Sequence, residues 1–367
     1  MTTKRVTLGD LRRYAVARTL FAPTTLQRAI ERLGFVQADP IRAPARAQDL
    51  TLRNRVANYR AGDLERRYPR LAVEEDYFVN YGFLPRRLQA LMHPRSAMRS
   101  WSPATKRRAQ EILDFVRERG PLHPRHVDDH FAHGTVANYW GGASNATTHL
   151  LDAMHYRGLL RVIRRESGVR IYAAHDHSPG SADAAARRAN LDVLIDVIVH
   201  KYAPLPSATL RALVTRHLRY GVPQHKRGLD AALTRATRRL AHTRIEGVDW
   251  YWPEGEQPGS SREEIDDQAR LLAPFDPVVW DRRRFELLWG WPYRFEAYYP
   301  ASKRRFGYYA LPLLWREHVI GWANVSVKER ALVIEFGYAA EASAPRDRVF
   351  RRELAAEIAR METFLRI

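Results

Sequence analysis

Residues 144–174 read SNATTHLLDAMHYRGLLRVIRRESGVRIYAA. Ser144 suits a helix N-cap, and Leu150, Leu151 and Met154 recur near the helical period before Gly158 ends the run. Two apolar runs follow, 159–163 and 169–173, joined by Glu166-Ser167-Gly168, where Gly supplies the positive φ a tight hairpin needs. Upstream, Ser102-Pro103 opens a helix that runs to Gly120, and a second helix starts near Pro124. Three helices followed by a hairpin is the order of a winged helix. Arg161, Arg164, Arg165 and Arg170 then decorate its wing.

The plan repeats along the chain. Helices are legible near 181–203, 207–218 and 228–242, and residues 243–252 fold back about Glu246-Gly247. At the N-terminus, Thr7 and Asp10 form a capping pair ahead of Leu8, Leu11 and Ala15, and a second helix with Leu26, Ile30 and Leu33 on one face stops at Gly34. Beyond Leu271 the pattern turns to aromatic-rich strands at 293–300, 306–315, 319–327 and 332–338. A closing helix at about 346–364 lines up Val349, Leu354, Ile358, Met361 and Leu365. The expected class is therefore α+β: tandem winged-helix (helix-turn-helix) units at 1–100, 101–180 and 181–262, then a β-rich, barrel-like C-terminal domain at 263–367.

Composition narrows the function. The 367 residues carry a formal charge of +19, and six of the 60 basic residues are Lys, the other 54 Arg. A pI near 10.4 is the bulk signature of a polyanion binder, and Arg forks suit phosphates. A GC-rich genome, which favours Arg codons, gives the same excess, so its location has to decide. Between Arg211 and Arg239 eight basic residues face one acidic residue, an imbalance a merely solvated surface does not need. Cysteine is absent, which excludes thiol catalysis, disulfides and Cys-ligated zinc. Residues 1–10 hold no apolar signal core, and the most apolar stretch, 193–199, is short and contains Asp196, so a cytoplasmic, nucleoid-associated protein without a membrane partner is expected.

The segment after Gly34 holds the chemistry. Phe35 to Asp39 alternates apolar and polar residues, and Pro40 forces Asp39 into extended backbone. Gln37 and Asp39 therefore project from one face, roughly 6.6 Å apart at the backbone, so one water can touch both. A carboxylate beside an amide carbonyl can orient water, accept its proton and stabilise positive charge on a sugar. A Gln-x-Asp triplet alone is common and serves as readily in backbone capping. Beyond it, Arg42, Arg46, Asp49 and Arg53 return to one side of a helix at steps of four, three and four residues. With Arg164 and Arg165 these arginines are the candidate phosphate contacts.

Other clusters carry less. His123, His126, His130 and His133 approach metal-ligand spacing, but no His-Glu-x-x-His motif occurs, and they read as a solvated helix face. His175-Asp176-His177 leads into a Ser-Pro-Gly loop, and Gly141-Gly142 reads as flexibility ahead of a helix, not as a phosphate loop. No metal or cofactor is called for. The basic runs 282–284 and 303–305 sit beside aromatic segments and fit either DNA backbone contacts or surface charge.

Residues 33–41, LGFVQADPI, resemble the catalytic segment of the AlkX (YcaQ-like) winged-helix DNA glycosylases of interstrand-crosslink repair, whose active site is Gln-x-Asp where their AlkZ relatives have Gln-x-Gln. Residues 272–284, LAPFDPVVWDRRR, and 303–309, KRRFGYY, resemble the same family, and the matches span nearly the whole chain. The resemblance implies three winged-helix units with a barrel-like C-terminal domain. It also implies a monofunctional hydrolase that cleaves the N-glycosidic bond of N7-alkylguanine in damaged double-stranded DNA, with unhooking of crosslinks as an extension. Gln37 would position the water and Asp39 activate it. One departure is Phe78-Val79-Asn80, where many family members have Trp-x-His. The alternative is a non-catalytic winged-helix DNA-binding regulator or architectural protein; three unequal units on one chain favour a monomer gripping one damaged locus over a dimer reading a two-fold site.

Overall fold

The opening stretch folds largely as its periods dictate: a helix, Ala146–Arg157, then a hairpin of Leu160–Glu166 against Val169–Ala174. It turns through Ser167 and Gly168 at φ 50° and 89°, both left-handed. In this computed structural model, which describes residues 6–96, 100–131, 134–137, 143–176, 183–260, 264–339 and 344–367, Ser144 is not the cap. It lies in a short strand, Ala143–Asn145, paired with Thr135–Ala137, a hairpin the sequence did not disclose. Gly141, Gly142, His133 and His177 lie outside the described residues.

The chain is α+β, and its contacts group it into two compact units. One gathers Met1–Asp63, Ile195–Leu213 and Thr234–Ile367, the other Leu64–Leu194 and Val214–Leu233. This grouping follows space, not chain order.

In the second unit, Pro103–Arg119 starts where Ser102 Oγ accepts the Thr105 N–H at 3.1 Å and stops at Gly120; Pro124–Phe131 follows. A hairpin of Val73–Tyr77 and Tyr81–Pro85 carries three consecutive buried acids, Glu74, Glu75 and Asp76. Buried carboxylates need partners, and arginines supply them. Arg86 and Arg161 meet Glu74, Arg165 and Arg170 meet Glu75, and Arg95 meets Asp76, which also receives His93 at 2.7 Å. Part of the arginine excess is thus internal charge balance.

In the first unit, Leu8–Thr19 begins with the expected Thr7–Asp10 capping box, and Leu26–Leu33 ends at Gly34 with φ 67°. The hairpin Ala241–Ile245 with Val248–Trp252 turns at Glu246-Gly247, and Leu205–Pro206 pairs alongside. Four antiparallel strands, Ala269–Leu271, Leu311–Trp315, His318–Lys328 and Ala331–Tyr338, lie in sequential order. They form an open sheet, and no closed sheet occurs among the described residues. Its core packs Leu272, Val278, Phe285, Trp291, Phe306 and Leu314.

Three local expectations change here. Residues 293–300 are irregular, not a strand: Pro292 and Pro300 lack donors, and the Glu296 side chain accepts the Phe306 N–H at 2.7 Å in place of a ladder. A helix, Arg282–Trp289, capped by Asp281 and closed at Gly290, occupies the first basic run. The closing helix is Arg348–Leu365, but its buried face is Phe350, Glu357, Met361 and Phe364. Counting only apolar residues rotates that face away from Glu357, whose carboxylate is fully buried because it accepts the Leu271 N–H at 2.8 Å and an arginine. No described helix is long and apolar enough to cross a membrane.

Candidate active site

Gly34 in the left-handed region stops the helix Leu26–Leu33 and turns the chain into the two-residue strand Val36–Gln37. Phe35 and Val36 are fully buried and fix the segment, while Gln37 is 6% and Asp39 9% exposed. The Asp39 backbone N–H donates to Gln48 Oε1 at 3.2 Å, and Asp39 Oδ1 accepts the Ile41 N–H at 2.9 Å, closing a turn around Pro40. Burial pushes the Asp39 carboxyl above its ordinary value, with the Ile41 N–H opposing.

Gln37 is held from far along the chain. The Trp280 indole N–H donates to Gln37 Oε1 at 2.8 Å. Trp280 is aimed by a tight turn in which the Asp276 carbonyl accepts the N–H groups of Val279 and Trp280 at 2.9 and 2.8 Å. The Asp276 side chain is locked by a bidentate pair with Arg55 at 2.7 and 3.0 Å, both side chains fully buried. The Trp280 ring leans on Tyr202, with centroids 5.1 Å apart. Among the described residues, nothing hydrogen-bonds Gln37 Nε2 or Asp39 Oδ2. The segment therefore offers one donor group and one acceptor two residues apart in sequence, with the amide carbonyl already engaged.

Aromatic residues flank the carboxylate. The Tyr309 hydroxyl is buried without a hydrogen-bond partner among the described residues, and burial, then the Asp39 charge, pushes its pKa well up, so it stays protonated. Burial and Asp39 also raise the pKa of Tyr298, which is 66% exposed; Tyr299 and Tyr308 are exposed nearby in sequence. Most other aromatic residues of the C-terminal region do pack the core. Lys201 is a further surprise: its ammonium donates to the Phe35 carbonyl, two residues from Gln37, and burial, reinforced by Arg55, pulls its pKa down to about 7.

The five candidate phosphate contacts separate. Arg42 is exposed but lies in a loop, because the next helix is only Ala47–Leu52, with Arg46 at its N-cap; the shared helical face does not exist. Arg53 is turned inward to Glu357 and the Leu271 carbonyl, its side chain 4% exposed. Arg164 is half-buried, with its side chain reaching solvent, and meets Glu166 at 2.8 Å, while Arg165 is committed to the buried Glu75. Of the basic run 282–284, Arg282 and Arg284 donate to backbone carbonyls and only Arg283 is exposed. The described histidines form no metal-binding group; His130 stacks on Phe115 at 4.3 Å. In the departing motif, Phe78 and Val79 are buried, and Asn80 Oδ1 accepts the Tyr81 N–H, fastening the hairpin turn.

A family profile described as DNA glycosylase AlkZ-like matches residues 30–364, nearly the full chain. The chain belongs to this family. It is accordingly a DNA glycosylase, a hydrolase of N-glycosyl bonds acting in DNA repair. Among solved structures, the DNA glycosylase AlkZ of Streptomyces sahachiroi has the same fold, with a TM-score of 0.61 over 98% of this chain and 97% of that one, at 14% identity. Trp280, Tyr309, Tyr298 and Lys201 escaped the sequence reading as site residues. Segments 272–284 and 303–309 carried the signal for the first two.

Proposed function

We propose that this AlkZ-like glycosylase hydrolyses the N-glycosidic bond of N7-alkylguanine in double-stranded DNA, with Asp39 as general base and Gln37 positioning the water. The single observation behind it is the pair of unengaged polar groups, Gln37 Nε2 and Asp39 Oδ2, two residues apart among the described residues. An N7-alkylated base already carries positive charge and leaves without a general acid, so one carboxylate is enough to accept the water's proton and face the developing cation. The surroundings suit a cation as well: the Asp39 charge and the π face of exposed Tyr298 are both attractive to one. Aspartate at position 39 fits the AlkX branch, and unhooking of interstrand crosslinks extends the same chemistry. The protein is read as a monomer built of three winged-helix segments. Release of free 7-methylguanine from alkylated duplex DNA by the purified protein is the test; tight DNA binding with no release would favour the regulator.

Phosphate contacts are assigned to Arg42, Arg46 and Arg164, whose side chains keep some exposure, whereas Arg53 and Arg165 are turned inward to buried carboxylates; Arg46 also acts on the buried Asp49. Replacing Arg42 and Arg46 together by Ala is expected to weaken binding equally for any sequence and to flatten the salt dependence by up to about 2 in log–log slope, at roughly 0.9 per phosphate contact. An unchanged slope removes both from the interface.

No lyase step accompanies base removal. Along the chain no Lys falls in the Gln37 segment, but in space Lys201 reaches its first residue with a near-neutral amine. It is 2% exposed and hydrogen-bonded to backbone, which denies it access to a sugar aldehyde. Borohydride is expected to trap no enzyme–DNA adduct. Trapping at Lys201 would make the enzyme bifunctional.

A further inference from the structure

We infer that Trp280 is a positioning residue that fixes which end of the Gln37 amide meets the water. The inference rests on the catalytic reading of Gln37 above. A glutamine amide has nearly two-fold symmetry about its last torsion, so a free side chain presents oxygen or NH2 with little preference. An indole N–H can only donate. At 2.8 Å from Gln37, Trp280 therefore selects the orientation with Oε1 toward the ring and the NH2 group away from it. The amide presents donors, the opposite polarity to Asp39 Oδ2, which accepts. A water between them is held at its oxygen by Gln37 and gives a proton to Asp39, leaving one lone pair for the anomeric carbon. With two acceptors instead, both protons would be drawn to the protein and no donor would fix the oxygen.

Nothing about this device is local in sequence, since 243 residues separate the partners. It depends on the Asp276 turn that aims the indole and on Tyr202, against which the ring rests. The rest of the Trp280 ring is packing that Phe can largely reproduce. The N–H is what Phe lacks.

The experiment is a double-mutant cycle on single-turnover release of 7-methylguanine, with thermal unfolding of each variant alongside. Trp280→Phe is expected to slow release roughly tenfold, the worth of one orienting hydrogen bond, at unchanged DNA affinity. In a Gln37→Ala background the same substitution should change the rate less than twofold, because there is no amide left to orient. Equal losses in both backgrounds overturn the inference, since Trp280 would then act by another route. So does full activity of Trp280→Phe while Gln37→Ala is impaired. A fully active Gln37→Ala sinks the reading of Gln37 itself, and the inference with it. Gln37→Glu tests the polarity separately and leaves Trp280 intact: it keeps an acceptor for the indole but has no NH2. Its release rate at the pH optimum is expected to fall at least as far as that of Gln37→Ala, and retention of parental activity would show that the water needs no donor at this position.

Discussion

Asp39→Asn is expected to lower release of 7-methylguanine by about 10²–10⁴-fold, the usual contribution of a positioned general base, while DNA affinity stays unchanged. The amide keeps an oxygen to accept the Ile41 N–H, so the turn at Pro40 survives. What disappears is the charge and the proton-accepting Oδ2. Burial also gives this substitution a stability signature. Because burial raises the folded pKa of Asp39 above its unfolded value, ionising it at neutral pH opposes folding, and that opposition is relieved as pH falls through the folded pKa. Asn carries no charge at any pH. The variant's melting temperature at pH 7 should therefore equal or exceed the parent's. The acid limb of the parent's kcat/KM profile should lie above the ordinary carboxylate range, and it should be missing from the variant's residual activity. Near-parental release by a folded Asp39→Asn would sink the assignment. Asp276 could not take the role, since its carboxylate is sealed against Arg55.

How far the site was legible depends on whether its determinants are local. The capping box at Thr7, the stop at Gly34 and the short strand Val36–Gln37 after it are decided within a few residues, so the local backbone around Gln37 was legible in the sequence. The paired turns at Ser167-Gly168 and Glu246-Gly247 were legible for the same reason. What failed was whatever a distant partner decides. Arg53 has the spacing of an exposed helical arginine, yet Glu357, 304 residues away, draws it inward. Arg165 reads as a wing residue and instead neutralises a buried acid contributed by another hairpin. The irregular stretch 293–300 has aromatic β-propensity, but two prolines and the Glu296 side chain dispose of its backbone differently. Trp280 and Lys201 converge on the Gln37 segment through tertiary contacts that no local period encodes.

Breaking the Arg55–Asp276 pair is expected to be the most damaging single change to stability in the first unit. Both side chains are fully buried, and Arg55 also donates to the carbonyls of Thr19 and Thr51 at 2.8 and 2.7 Å, so one guanidinium ties three segments together. Removing one partner leaves the other charge desolvated without its bidentate partner. Asp276→Asn should cost about 3–5 kcal/mol in denaturant unfolding, and Arg55→Leu a similar amount. The double variant Arg55→Leu with Asp276→Leu buries neither charge, so its loss should be well below the sum of the singles, because the desolvation cost is removed along with the attraction. Activity should separate from stability in that double variant. Asp276 Oδ1 accepts the Val278 N–H at 3.0 Å within the turn that carries Trp280, so a refolded apolar pair loses part of the grip on the indole and, through it, on Gln37. A stable but slow double variant is the expected result. Single substitutions costing less than about 1 kcal/mol would mean that water enters and compensates the buried charge, and the pair would then not be the anchor that holds Trp280 to the active segment.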